Sequence, residues 1–150
     1  QIGVSNGIVW SSDSRYMYFI DSPTRQISRF DYDPFTGEIK NRQNVFEAPE
    51  GFGFPDGMAI DSDDHLWVAF WGGSCVAKID PSDGSISERV IVPVTAPTAC
   101  AFGGPNMNQL LITTASFGLD QEAKANQPMA GDLFMAEVSA TGVIPARYAG

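Results

Sequence analysis

A segment pattern recurs three times along this chain, and it constrains the fold more than any single motif does. Tyr16 to Ile39 reads YMYFIDSPTRQISRFDYDPFTGEI, and His65 to Ile86 reads HLWVAFWGGSCVAKIDPSDGSI. Each holds an aromatic and aliphatic stretch, a short polar break, a second stretch ending in Asp, and a turn that returns through Gly and Ile. Gln109 to Ile144 repeats the pattern with a long insertion between QLLITTAS and GDLFMAEVSATGVI. A leader precedes each copy. Ser5-Asn6-Gly7-Ile8-Val9-Trp10 runs into Ser12-Asp13-Ser14, Pro55-Asp56-Gly57-Met58-Ala59-Ile60 into Asp61-Ser62-Asp63-Asp64, and Pro97-Thr98-Ala99-Cys100-Ala101-Phe102 into Gly103-Gly104-Pro105-Asn106.

Short apolar stretches, each followed by turn residues, predict antiparallel meanders. Apolar positions alternate or run together and lack the three-and-four spacing of a helix, so helical readings fail. Even Leu119 to Gln127 reads better as part of a loop in the third insertion. Each repeat then supplies a leader strand, two central strands and an outer strand such as Asn44-Val45-Phe46 or Arg89-Val90-Ile91. A four-stranded twisted sheet repeated about every 40 to 50 residues is the unit of a β-propeller. The expected fold is all-β, a β-propeller with three four-stranded blades at roughly residues 1–49, 50–94 and 95–150. Three blades leave a ring open. Half of a larger propeller, with an N-terminal half outside this chain, is therefore expected, and a start at Gln1 without a methionine points the same way. Self-association of two copies is the other way to close the ring.

Composition narrows the partners. A hydrophobic content of 43% with 11% aromatics excludes a disordered chain. A formal charge of −9 leaves no basic patch for phosphates, so no nucleic acid is expected. No apolar run reaches the roughly 18 residues of a membrane span and no signal peptide opens the chain, so no membrane partner is expected and the cytoplasm is the expected compartment. Cys75 and Cys100 sit in strand-like apolar contexts and are expected to be free buried thiols.

In a propeller the innermost strand of each blade lines the axis. The leaders place Asn6, Asp56 and Thr98 at equivalent points, where their side chains are expected to converge. A neutral oxygen from Asn6 and a charged one from Asp56 suit Ca²⁺, Mg²⁺ or Mn²⁺, with Zn²⁺ also possible. Asn-Gly and Asp-Gly are among the commonest turn dipeptides, and either one taken alone reads as a turn former rather than a ligand. Their coincidence at one repeat phase is what favours ligands. Trp67, Phe70 and Trp71 are expected to pack between blades, His65 to lie at the surface, Asp61 to Asp64 to form a solvated turn, and the loop from Ser116 to Ala130 to be a candidate cover for the channel mouth.

Beyond the repeat, a series of motifs carries a resemblance. Ser5-Asn6-Gly7, Tyr18-Phe19-Ile20-Asp21-Ser22, Phe30-Asp31-Tyr32-Asp33 with Thr36-Gly37, Pro55-Asp56-Gly57-Met58, Leu66-Trp67-Val68-Ala69 and Cys100-Ala101-Phe102-Gly103-Gly104 occur in this order, and the chain ends Tyr148-Ala149-Gly150. Together they resemble the second half of the gluconolactonase, regucalcin and luciferin-regenerating enzyme family. The resemblance implies half of a six-bladed propeller that holds one divalent metal ion on its axis and hydrolyses sugar-acid lactones. It implies Asn6 and Asp56 as metal ligands and Asp56 as the general base, with a small-molecule lactone as substrate. The family's glutamate ligand and its substrate-contacting Arg and Asn have no counterpart here, so these 150 residues alone are expected to be weakly active or inactive. A non-enzymatic calcium- or ligand-binding regulatory propeller is the rival implied by the same residues.

Overall fold

The computed structural model describes residues 1–144. The quoted terminus Tyr148-Ala149-Gly150 lies outside the described residues. Eleven strands and one helix follow one another as β1 (Ser5–Trp10), β2 (Tyr16–Asp21), β3 (Gln26–Tyr32), β4 (Ile39–Glu47), β5 (Phe54–Ile60), β6 (Leu66–Trp71), β7 (Cys75–Ile79), β8 (Ile86–Ile91), β9 (Pro97–Gly103), β10 (Gln109–Thr114), α1 (Gln121–Asn126) and β11 (Leu133–Glu137). They form antiparallel meanders in the orders β1-β2-β3-β4, β5-β6-β7-β8 and β9-β10-β11. The all-β repeat architecture expected from the sequence is present, with three strands of the third sheet among the described residues. None of the described helices is long and apolar enough to cross a membrane.

Burial explains why apolar residues alternate in some strands and run together in others. The second sheet lies between the other two, and Leu66 to Phe70 are all fully buried. Leu66, Val68 and Phe70 join a core shared with Tyr18, Ile20 and Ile27 of the first sheet. Trp67 and Ala69, on the opposite face, join a core shared with Cys100, Leu110 and Ile112 of the third. A strand covered on both faces reads as an unbroken apolar run. Edge-on aromatic pairs tie the sheets together: Phe46 meets Phe70 at 6.1 Å and Trp67 meets Phe102 at 5.7 Å between ring centres. Trp67 and Phe70 thus pack between sheets as expected. Cys75 and Cys100 are buried free thiols, and burial pushes the Cys100 thiol up to about 12.

Two expectations need correction. The segment read as loop from Leu119 to Gln127 contains α1, whose Asp120 side chain accepts a hydrogen bond from the Ala123 N–H at 2.8 Å. That N-cap, with Glu122 in the first turn and Lys124 in the last, suits the helix dipole. No α1 residue is buried, so no apolar periodicity announces it.

The acidic turn after β5 is not simply solvated. Asp61 is 1% exposed. Its carboxylate accepts from the backbone N–H groups of Asp63 and His65 at 3.0 and 2.9 Å and from the Trp67 indole at 3.0 Å, and Lys78 Nζ lies 3.2 Å away. His65, expected at the surface, is drawn in beside it, with Nδ1 3.4 Å from Asp61 and Nε2 3.9 Å from Asp80. Burial alone would raise the Asp61 carboxyl, but the Trp67, His65 and Lys78 contacts outweigh it and hold the group below its ordinary value. A carboxyl with a depressed folded-state pKa adds stability above its unfolded value of about 4 and loses it as pH falls through the folded value. Asp61→Asn is therefore expected to cost about 2 kcal/mol at pH 7. Thermal melts at descending pH should show that the gap between parent and variant narrows below about pH 4.

Candidate functional site

The register of the innermost strands shapes the site. Ser5 pairs with Asp21 and Ile8 with Phe19, so Asn6 and Gly7 together oppose the single residue Ile20. Pro55 pairs with Phe70 and Met58 with Val68, so Asp56 and Gly57 oppose Ala69. Pro97 pairs with Thr114 and Ala99 with Thr113, leaving Thr98 unpaired. Each candidate thus sits in a β-bulge at the same phase of its sheet. Bulges insert one residue, bend the strand and re-aim a side chain.

The two glycines have a different role from the turn reading. Gly7 and Gly57 lie inside β1 and β5, and neither has a positive φ. A Cβ on Gly7 would stand 2.8 Å from the Asp56 carbonyl oxygen, and one on Gly57 would stand 2.5 Å from the Ala99 Cβ and 2.9 Å from the Thr98 carbonyl oxygen. Each glycine lets the next innermost strand approach its backbone. That close approach sets Asn6 beside Asp56.

Asn6 and Asp56 line one cavity of about 380 Å³ together with Val4, Ser22, Pro23, Phe54 and Trp71. Trp71, expected to pack between blades with Trp67 and Phe70, instead forms part of this wall. Asp21 anchors the approach to Asn6, because its carboxylate accepts from the N–H groups of Gly3 and Val4 at 2.9–3.1 Å. A single 3-10 turn, Ser22–Thr24, follows β2. Its first residue links Asn6 to the residue before Asp56: Asn6 Nδ2 donates to Ser22 Oγ at 2.9 Å, and Ser22 Oγ donates to the Pro55 carbonyl oxygen at 2.6 Å. Thr98 does not join them. Its hydroxyl lies 2.7 Å from that of Thr113 in its own sheet.

Burial pushes the Asp56 carboxyl above its ordinary value, and a hydrogen bond from the Asn6 side chain works against that rise. No ion pair joins Asp56 to a lysine or arginine among the described residues. A half-buried carboxylate without a cationic partner, next to a neutral amide, is a donor set that fits a hard divalent cation. Asp61, Asp63 and His65 also bring ligand-type atoms within 4.8 Å of one another. There, however, the Lys78 ammonium already neutralises Asp61.

The model of the SMP-30/gluconolactonase/LRE-like region matches residues 1–116. The chain belongs to this family. YvrE of Bacillus subtilis (strain 168), provisionally named a sugar lactone lactonase, is 41% identical over 150 residues, which are all of this chain and 51% of that protein. Human regucalcin is 40% identical over 151 residues, covering all of this chain and 50% of its own length. This SMP-30/gluconolactonase-like chain therefore spans about half the length of the curated relatives it matches. Among solved structures, a luciferin-regenerating enzyme superposes with a TM-score of 0.86 at 34% identity over 95% of this chain and 48% of that one. Regucalcin from Agrobacterium tumefaciens, described as a calcium-binding protein, gives 0.88 at 31% identity over the same shares. A Xanthomonas campestris gluconolactonase gives 0.63 at 26% identity over 75% of this chain and 35% of that one.

The sequence missed Ser22 and the bulges. Ser22 stands in the quoted run Tyr18 to Ser22, yet its link to Pro55 spans 33 positions and leaves no local pattern. A glycine placed inside a strand-like stretch is the one signal that pointed to the bulges.

Proposed function

We propose that this chain supplies half of a six-bladed lactonase ring, and that the whole protein hydrolyses sugar-acid lactones with a divalent cation held by Asn6 and Asp56. The observation that carries this reading is the half-buried Asp56 carboxylate, raised by burial and placed with Asn6 in one cavity. Family membership and the named lactonase activities of YvrE and the Xanthomonas protein support the reaction class.

The bound cation would polarise the lactone carbonyl and stabilise the negative charge that develops on its oxygen. Asn6 contributes a neutral oxygen ligand and Asp56 a charged one. Asp56 also takes a proton from the attacking water; a cation on its carboxylate weakens it as a base, so activation of that water by the same cation must carry much of the step. Val4, Pro23, Phe54 and Trp71 present apolar surface to the cavity and can take the C–H face of a sugar ring. Phe54 is steadied by the Arg25 guanidinium, 5.4 Å from its ring centre. The third ligand and further substrate contacts would come from the other half of the ring, so these 150 residues alone are expected to be weakly active or inactive.

Chelation tests the reading. The full-length protein should hydrolyse gluconolactone, lose that activity on treatment with a chelator, and regain it when Ca²⁺, Mn²⁺, Zn²⁺ or Mg²⁺ is returned. Hydrolysis at an unchanged rate after complete metal removal would overturn it. Tight cation binding without turnover would favour a regulatory calcium-binding propeller instead, in line with the calcium-binding description of the Agrobacterium regucalcin.

A further inference from the structure

We infer that Ser22 is a positioning residue that fixes which atom of Asn6 faces the cation. The inference rests on the proposed Asn6–Asp56 cation site and deepens it. A serine hydroxyl has one proton to give. At Ser22 that proton is committed to the Pro55 carbonyl oxygen, which can only accept, at 2.6 Å. The Ser22 oxygen can therefore act toward Asn6 only as an acceptor. Its partner must be the amide nitrogen, and Nδ2 lies 2.9 Å away.

An asparagine amide turned by half a circle exchanges its oxygen and nitrogen with little change of shape. Only one of the two orientations offers a lone pair to a metal. Ser22 holds Nδ2, whose other proton reaches the Asp56 carboxylate in the absence of an ion, and so selects the orientation that leaves Oδ1 free of a hydrogen bond among the described residues. Once an ion engages the Asp56 carboxylate, Ser22 is the partner that still holds Nδ2; without it the amide populates both orientations, and the wrong one presents a donor to the cation.

Ser22 also sets spacing. Its hydroxyl joins Asn6 on the innermost strand of the first sheet to Pro55, the residue before Asp56 on the innermost strand of the second. The turn that carries it is rigid for local reasons. Pro23 stands in its first positions, the Thr24 hydroxyl donates to the Asp21 carbonyl oxygen at 2.7 Å, and the Ser22 N–H donates to the Val4 carbonyl oxygen at 3.2 Å. Groups that orient a metal ligand from behind are typically worth about 10- to 100-fold in metal affinity.

Calorimetric titration of the metal-free full-length protein with Ca²⁺ and, separately, Mn²⁺ tests this. Ser22→Ala should weaken binding by about 10- to 100-fold, and Ser22→Thr, which keeps the hydroxyl, should restore it to within about threefold of the parent. The deciding measurement repeats Ser22→Ala in an Asn6→Asp background. A carboxylate offers oxygen on both sides and needs no orienting, so the penalty should there shrink to about threefold or less. An equal penalty in both backgrounds would mean that Ser22 merely supports the fold, and the inference would fall. Asn6→Ala and Asp56→Ala separate the two layers. If these weaken binding while Ser22→Ala does not, only the Ser22 inference is lost. If neither weakens binding, the cation site is wrong and the inference goes with it.

Discussion

Asp56→Ala in the full-length protein is expected to lower kcat/KM for gluconolactone by about 1,000-fold or more, because one residue is asked to hold the cation and to accept a proton. General-base loss alone is typically worth about 100- to 10,000-fold. Asp56→Asn separates the roles. An amide oxygen can still ligate but cannot take the proton, so this variant should keep measurable cation binding while kcat falls steeply. Steady-state hydrolysis at saturating metal, alongside titration calorimetry, distinguishes the cases. Retention of parent-like kcat by Asp56→Asn would remove Asp56 from the role of base and leave it a ligand only.

The second large effect concerns stability. Gly57→Ala places a methyl carbon 2.5 Å from the Ala99 Cβ and 2.8 Å from the Ala99 Cα, and those atoms belong to the adjoining innermost strand. Backbone cannot swing aside as a side-chain tip does. The strands must part, and the expected cost is about 3 kcal/mol. For a chain of this size that lowers Tm by roughly 6 to 12 °C. Gly103→Ala is the control, since its added carbon would meet only the Leu111 side chain at 3.4 Å, and it should shift Tm by a degree or two at most. Differential scanning calorimetry of the two variants gives the answer. Equal melting temperatures would show that the innermost strands are not held as tightly as their spacing requires.

The repeat was legible because strands, breaks and turns are local, and the chain writes them out three times. Leu66 to Phe70 could be recognised as a buried strand for the same reason, since covering both faces leaves no polar position in the run. What lay hidden depends on residues far apart in the chain. Gly7 looks like half of a turn dipeptide until Asp56, 49 positions later, is seen to lie against it. The polarity of Asp61 suggests solvent, and only the indole of Trp67 and the ammonium of Lys78 show why it is buried. Asn6 and Asp56 were singled out by repeat phase and by the family resemblance. Repeat phase puts Thr98 with them, but its side chain closes on Thr113, a partner in the neighbouring strand that phase alone does not reveal.

The shared bulge has a consequence for how such a ring changes over time. Backbone shape at that position is supplied by the sheet, whereas chemistry is supplied by whichever single side chain occupies it. Asparagine, aspartate and threonine already fill the three seats. A point substitution there changes the group presented beside the innermost strand while every strand keeps its neighbours, so side-chain chemistry at that position and the pairing of the sheet can vary independently.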